Sequence, residues 1–308
     1  MPTLFIDGAA GTTGLEIRER LAGRQDFTLI TLVDERRKDD AARREALNDA
    51  DFVILCLPDD AAVAAVAMID NDRTRVIDAS TAHRVAPGWT YGMAELEPSQ
   101  PAAIAAAPRV ANPGCYPTGF LALVRPLVRA GLVPADWPLT VNATSGYSGG
   151  GKAMIAEFED GTEPTAHRAY ALDLAHKHVP EMQRHARIEH PPIFAPAVAR
   201  AYRGMTVEVP LALHALPRRP ALAAIEAALA DAYRDAALIN VTADDGALVR
   251  IEENAGSDRL TIRVRGNAGA GQARLIATLD NLGKGAGGAA VQNLNIMAGL
   301  DPLAGLVA

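Results

Sequence analysis

The apolar positions fall into two regimes along the chain. Ahead of Cys115 they form short, nearly continuous runs, Thr3–Asp7, Phe27–Val33, Asp51–Leu57, Val76–Asp78 and Arg109–Ala111, each separated from the next by a helical or polar stretch. Runs of that kind read as strands buried on both faces, the pattern of a parallel sheet covered by helices on either side. Past Cys115 the character changes. Phe120–Leu132 reads as a mostly apolar helix, Leu139–Thr144 as a strand and Pro220–Ala236 as an Ala-rich helix. In Met205–Leu213, Leu248–Glu252 and Leu260–Val264 apolar and polar positions alternate, so these strands hide one face only, as in an antiparallel sheet. The expectation is an α/β chain with a β-α-β domain over residues 1–116 and an α+β domain over 117–285.

The first strand runs into Gly8-Ala9-Ala10-Gly11-Thr12-Thr13-Gly14 and then a helix with Leu15, Ile17 and Leu21. Strand, glycine turn and helix in that order is the context a dinucleotide needs: glycines let the backbone approach a pyrophosphate, and the helix start offers N–H donors. Gly8, Gly11, Thr12, Thr13 and Gly14 are therefore the expected cofactor turn. The spacing is G-x-x-G-x-x-G, which a plain strand-to-helix turn can also show, but its place at the head of a βαβ series favours the cofactor. Two readings compete at the end of the second strand. Asp34 stands where an NAD site holds the ribose hydroxyls, and Arg36 and Arg37 stand where an NADP site holds the 2′-phosphate. The basic pair tilts the reading to NADPH. Leu57 and Pro58 close the third strand and Ser80 follows the fourth, at the strand ends where open α/β sheets bind ligands. Arg84, in the same cluster, either contacts an anionic substrate or pairs with Asp78.

Cys115 follows a Pro-Gly turn and opens the apolar helix, with Pro117 suited to its first turn. A sulfur at a helix N-terminus is favoured as thiolate by the N–H groups and dipole there, so Cys115 is the expected nucleophile. Asn112, three residues upstream, is the expected amide donor to an oxyanion formed at that sulfur. Cys56, inside an apolar run, reads as core. Ser145–Lys152 reads as a glycine-serine loop able to cradle an anion through backbone N–H groups, with Ser148 and Gly149 facing substrate. His176-Lys177-His178-Val179-Pro180-Glu181 is the second chemical stretch. Pro180 and Glu181 mark a helix start, and a histidine just ahead of it is held neutral by the dipole, as a general base must be. This points to His178 as the base, with Glu181 near enough to orient it or to meet substrate. Two histidines one residue apart also resemble metal ligands, but no third ligand falls at a zinc spacing, and no metal is expected.

Composition narrows the class. The 308 residues are 49% apolar with a formal net charge of −7 and no basic cluster, which argues against a nucleic-acid surface and leaves a small molecule as the partner. Two cysteines make no disulfide framework. No apolar run is long enough for a bilayer and no leader pattern opens the chain, so a cytoplasmic protein without a membrane partner is expected.

Together these residues resemble the N-acetyl-γ-glutamyl-phosphate reductases of arginine biosynthesis, in their shorter form. The resemblance rests on G-A-A-G-T-T-G from Gly8, Y-G-M-A-E-L from Tyr91 and N-P-G-C-Y-P-T from Asn112. It continues through S-G-Y-S-G-G-G-K from Ser145, H-K-H-V-P-E from His176 and D-N-L-G-K-G-A-G-G-A-A-V-Q-N-L-N from Asp280. It implies a Rossmann-type dinucleotide-binding domain completed by a C-terminal helix over residues 286–308. It also implies an α+β substrate and dimerisation domain, shared with aspartate-semialdehyde dehydrogenases, hence a homodimer or homotetramer. It implies reduction of an acyl phosphate by NADPH through a thioester on Cys115, His176 binding substrate, and Asn281 and Gln292 on the cofactor side. Two other readings stay open: another acyl-phosphate reductase, such as an aspartate-semialdehyde dehydrogenase, and a dinucleotide sensor that has lost the chemistry.

Overall fold

In the computed structural model, which describes residues 1–162 and 165–308, the chain divides into two units. The first comprises Met1–Pro113 and Ala286–Leu306. Its strands are β1 (Thr3–Asp7), β2 (Thr28–Ile30), β3 (Phe52–Leu55), β4 (Arg75–Asp78), β5 (Thr90–Tyr91) and β6 (Arg109–Ala111), in the order β2-β1-β3-β4-β6-β5. All five pairings are parallel. Helices α1 (Thr12–Leu21), α2 (Asp40–Asp49), α3 (Asp59–Ala67) and α4 (Gln100–Ala106) complete the crossovers. The strand order reverses at β1, which has β2 on one side and β3 on the other, so the carboxyl ends of β1 and β3 flank the switch point where such sheets take ligands.

The continuous apolar runs have a plain cause here. Leu4, Ile6, Ile54 and Ile77 point to one face, against Ile17 and Leu21 of α1 and Ala290, Val291, Leu294 and Met297 of the C-terminal helix (Gly288–Ala298). Phe5, Val53, Leu55 and Val76 point to the other, against Ala46 and Leu47 of α2 and Ala62 and Ala65 of α3. With both faces covered, each buried aliphatic side chain contributes roughly 1.5–3 kcal/mol. The C-terminal helix is buried on every side from Gly288 to Met297, which explains its small residues. Two details differ from the sequence reading. β5 is only two residues long, too short to carry a periodic signal. β2 ends at Ile30, because the carbonyl of Val33 turns back to accept the N–H groups of Arg36 (2.9 Å) and Arg37 (3.1 Å).

The second unit comprises Gly114–Gly285 with Val307 and Ala308, so the boundary falls between Pro113 and Gly114. Its helices are α5 (Cys115–Arg129), α6 (Gly151–Glu159), α7 (Val179–Ala186) and α8 (Leu222–Ala232). Its strands are β7 (Thr140–Gly146), β8 (His167–Ala169), β9 (Ile193–Ala199), β10 (Met205–Ala212), β11 (Ile239–Val241), β12 (Leu260–Asn267) and β13 (Gln272–Leu279). They form a mixed sheet in the order β11-β12-β13-β10-β7-β9-β8, parallel only at β7–β9 and β11–β12. Helix α5 lies on β10 and β13 and buries Phe120, Leu121, Leu123, Val124 and Leu127, while α7 packs against α5. The boundary sits where it does because the whole of α5, from its first residue, belongs to this packing.

Leu248–Glu252 is not a strand. The edge of β12 is already taken by β11, with Ile239 opposite Leu260 and Val241 opposite Ile262, and Leu248 is 80% exposed. Nor is Ser145–Lys152 an open loop. Tyr147–Gly150 is a single tight helical turn that runs into α6, anchored by Tyr147 stacked on Phe158 at 5.1 Å. Among the described residues no helix is long and apolar enough to cross a membrane.

Candidate active site

In the first unit the expected cofactor turn closes tightly on itself. Gly8 has φ +84°, and a Cβ there would lie 2.3 Å from the carbonyl oxygen of Cys56. A Cβ on Gly14 would lie 2.6 Å from the Gly8 carbonyl oxygen. The Gly11 N–H donates to that same oxygen (2.9 Å), and Thr12 and Thr13 are the first residues of α1. Bare backbone at the start of a helix, in a turn no side chain can enter, fits a pyrophosphate. Leu57 and Pro58 lie beside it: Leu57 Cδ2 is 3.2 Å from the position a Gly8 Cβ would take, and Pro58 caps α3.

Asp34 departs from its expected place. It lies four residues beyond the end of β2, 87% exposed, and pairs with Arg37 at 3.4 Å, while Arg36 is 3.8 Å from Asp39. It is thus the counter-ion of Arg37 in an exposed turn, not an acid at a strand end.

Around β4 and β6 the side chains brace one another. Buried Asp78 accepts from the Ser80 N–H (2.9 Å) and hydroxyl (2.6 Å) and bonds His83 Nδ1 (2.6 Å), whose ring stacks on Trp89 at 4.1 Å. Arg84 is buried and donates to the carbonyls of Asn112 (2.9 Å) and Ala79 (3.1 Å). The amide of Asn112, expected as an oxyanion donor, is braced within the first unit. Its Nδ2 donates to the Ala286 carbonyl (3.0 Å) and its Oδ1 accepts from Asn293 Nδ2 (3.0 Å), which ties the end of β6 to the start of the C-terminal helix. Gln292, on that helix, donates to Glu95 (2.9 Å).

In the second unit Cys115 is the first residue of α5, with Gly114 as its cap. The sulfur thus stands at the end where helical N–H groups lack intrahelical acceptors. The residues on both sides of Cys115 meet the His176–Glu181 stretch. The Gly114 N–H donates to Glu181 Oε1 (2.8 Å), a buried carboxylate in the first turn of α7. The Tyr116 ring lies 6.0 Å from that of His176 and 5.9 Å from that of His178, both edge-on. Glu181 therefore fixes the turn that presents the sulfur, a contact that spacing does not suggest. His178 is the cap residue of α7, just ahead of the helix as expected, and is buried. His176, 4.7 Å from it ring to ring, is pushed down to about 4, first by burial and then by Lys177. Gly285 presses against Cys115, since a Cβ there would meet the Cys115 Cβ at 2.8 Å.

Asn281 and Ser148, expected on the cofactor and substrate sides respectively, come together. Asn281 Nδ2 donates to the buried Ser148 hydroxyl (2.9 Å), and its Oδ1 accepts the Gly204 N–H (2.9 Å). Gly149 is at the surface beside them. Sequence reasoning missed Tyr116, Tyr170, Phe194 and Gly285. Only Tyr116, next to the cysteine, carried a local signal.

Two family models cover the chain: the semialdehyde dehydrogenase NAD binding domain matches residues 4–104, and the semialdehyde dehydrogenase dimerisation domain matches 115–281. The N-acetyl-gamma-glutamyl-phosphate reductase of Rhizobium meliloti (strain 1021) is 52% identical over 305 residues, 96% of this chain and 98% of the relative. That of Brucella anthropi is 51% identical over 307 residues, 97% and 99% of the two chains. The chain belongs to the N-acetyl-γ-glutamyl-phosphate reductase family. Among solved structures, aspartate semialdehyde dehydrogenase II from Vibrio cholerae aligns with TM-score 0.70 at 16% identity over 96% of this chain and 98% of its own. The Candida albicans aspartate semialdehyde dehydrogenase with NADP aligns with TM-score 0.67 at 13% identity over 97% and 99%. These likenesses show the shared fold.

For a family member that works through a thiolate, its two cysteines should differ sharply. The Cys56 thiol is pushed up to about 12 by burial, with Asp78 and Asp7 adding to the effect. Near-neutral alkylation followed by peptide mass mapping is expected to modify Cys115 at least about tenfold faster than Cys56. Equal, slow labelling of both would favour the sensor.

Proposed function

We propose that the chain reduces N-acetyl-γ-glutamyl phosphate to N-acetylglutamate 5-semialdehyde, with NADPH as the reductant and phosphate released. The observation that carries this is the placement of Cys115 at the start of α5, with Gly114 on one side and Tyr116 on the other held against the His176–Glu181 stretch. The Cys115 thiolate attacks the acyl carbonyl, the C–O bond to phosphate breaks and a thioester remains on the sulfur. The oxyanion donors assigned here are backbone N–H groups of the first turn of α5 together with the Asn112 N–H that the Ala286 carbonyl does not take. NADPH, held by the Gly8–Gly14 turn with Leu57, Pro58 and Ser80, supplies the hydride that brings the acyl group to the aldehyde level. Arg36 and Arg37 are assigned to its 2′-phosphate. His178 handles the proton as the aldehyde leaves and the thiolate is restored, and His176 binds substrate.

The match to a dimerisation domain supports self-association, which we assign as a homodimer or homotetramer acting in the cytoplasm.

The test runs the reaction backwards, because the acyl phosphate is labile. With N-acetylglutamate semialdehyde, phosphate and NADP⁺, reduced nicotinamide is expected to accumulate only when phosphate is present, and NAD⁺ should serve at least about tenfold less well. Turnover of aspartate semialdehyde in its place would overturn the substrate. A preference for NAD⁺ would return the ribose to Asp34.

A further inference from the structure

The geometry points to His176 as a ring held in a single neutral form, its Nδ1 closed by the His178 backbone N–H and its proton on Nε2, with Tyr170 and Tyr116 as the positioning residues on the Nε2 side. The inference deepens the reading above by separating the roles of the two histidines, and it starts from a backbone bond. The His178 N–H donates to His176 Nδ1 at 3.1 Å. A backbone N–H can only donate, so Nδ1 must be the acceptor, and the proton of the neutral ring lies on Nε2. That nitrogen is 3.5 Å from the Tyr170 hydroxyl, a long contact that leaves the proton available to a substrate oxygen as well. The Tyr170 hydroxyl donates to the Tyr116 hydroxyl (3.2 Å), which donates to the Ala197 carbonyl of β9 (3.1 Å).

The chain of bonds has one consistent direction. It ends on a carbonyl, which cannot donate, so each hydroxyl has its proton turned away from His176 and its lone pair turned toward the preceding donor. The phenols are poor acids as well as fixed rotors: burial raises the Tyr170 hydroxyl to about 12 and lifts that of Tyr116 well above the ordinary tyrosine value.

Packing holds the array in place. The rings of Tyr116 and His176 each stand 5.1 Å from that of Phe194, edge-on. The segment joining Tyr170 to His176 is bent to suit, with Ala171 at φ +48° and Leu174 at φ +61°, left-handed conformations that non-glycine residues keep only where the surroundings impose them. His176 is thereby a donor, and proton transfer falls to His178 alone.

The test reads the ring directly. In protein labelled with ¹⁵N-histidine at pH 7, with the His176 signals identified by their absence from His176→Asn, the ring should appear as one neutral tautomer, protonated on Nε2. Tyr170→Phe removes the acceptor and keeps the ring shape; it should speed solvent exchange of the Nε2 proton about tenfold. The same variant should raise KM for N-acetylglutamate semialdehyde by roughly five- to tenfold, with kcat within about twofold of the parent. Tyr116→Phe, one bond further away, should move both readouts the same way by less. A tautomer mixture or an Nδ1-protonated ring in the parent would overturn the proposal. So would a Tyr170→Phe variant with unchanged exchange and KM, or one that lost kcat at constant KM. Absence of turnover in the parent would sink the reductase reading instead, and the tautomer and exchange results would still decide this one.

Discussion

Cys115→Ala is expected to lower turnover in the reverse assay by at least about 10⁴-fold while leaving NADPH affinity within about twofold. Removal of a nucleophile deletes a covalent path, not one contact among many, so the loss should fall on kcat and not on KM. The substitution asks little of the fold. Position 115 is the first residue of α5, alanine is the best helix former, and the neighbouring anchors stay in place, namely the Gly114 bond to Glu181 and the Tyr116 ring. Tm by calorimetry and NADPH binding by fluorescence check that the protein is intact. Retention of more than about one-hundredth of parental kcat would mean that the sulfur does not carry the acyl group. The thioester mechanism would then fall even if the overall reaction stood.

Gly8→Ala should be the most damaging substitution in the first unit. A left-handed φ of +84° at a residue with a Cβ costs about 1–2 kcal/mol, and that Cβ would lie 2.3 Å from the Cys56 carbonyl oxygen, so β1 and β3 must also move apart at their carboxyl ends. We expect NADPH affinity to fall at least about 100-fold and Tm by several degrees. Gly23→Ala is the matched control. Its φ is +75°, but nothing lies within 4 Å of the added Cβ, so it bears the backbone strain without the collision. The difference between the two variants isolates the close approach at the turn. Equal losses of Tm, with NADPH binding intact in both, would show that Gly8 matters only for its φ and that the turn is not the cofactor's cradle.

The parts of the fold that could be read in advance are those where local chemistry and global packing agree. Near-continuous apolar runs meant strands covered on both faces, and Leu4 and Ile6 on one side with Phe5 on the other bear this out. The reading failed where an edge or a turn intervened. Leu248–Glu252 alternates like a strand, but pairing needs a free neighbour, and β11 holds the edge of β12. Asp34 looked like the end of a strand because the apolar run continues to Val33, yet the chain turns back on the Val33 carbonyl, leaving the acid in an exposed turn beside Arg37.

By itself the sequence determined the order of elements, the glycine turn, the cysteine at a helix start and the paired histidines, because each is a local matter of period, turn chemistry or helix ends. The tertiary structure alone decided which partner each polar group takes. Asn112 became a brace to the C-terminal helix through Ala286 and Asn293, Glu181 became the acceptor for the Gly114 N–H, and Asn281 was turned to Ser148. Residues 67 and 133 positions apart meet in the last two cases. Buried polar groups must be satisfied by whatever packing brings near, and separation along the chain carries no information about that choice.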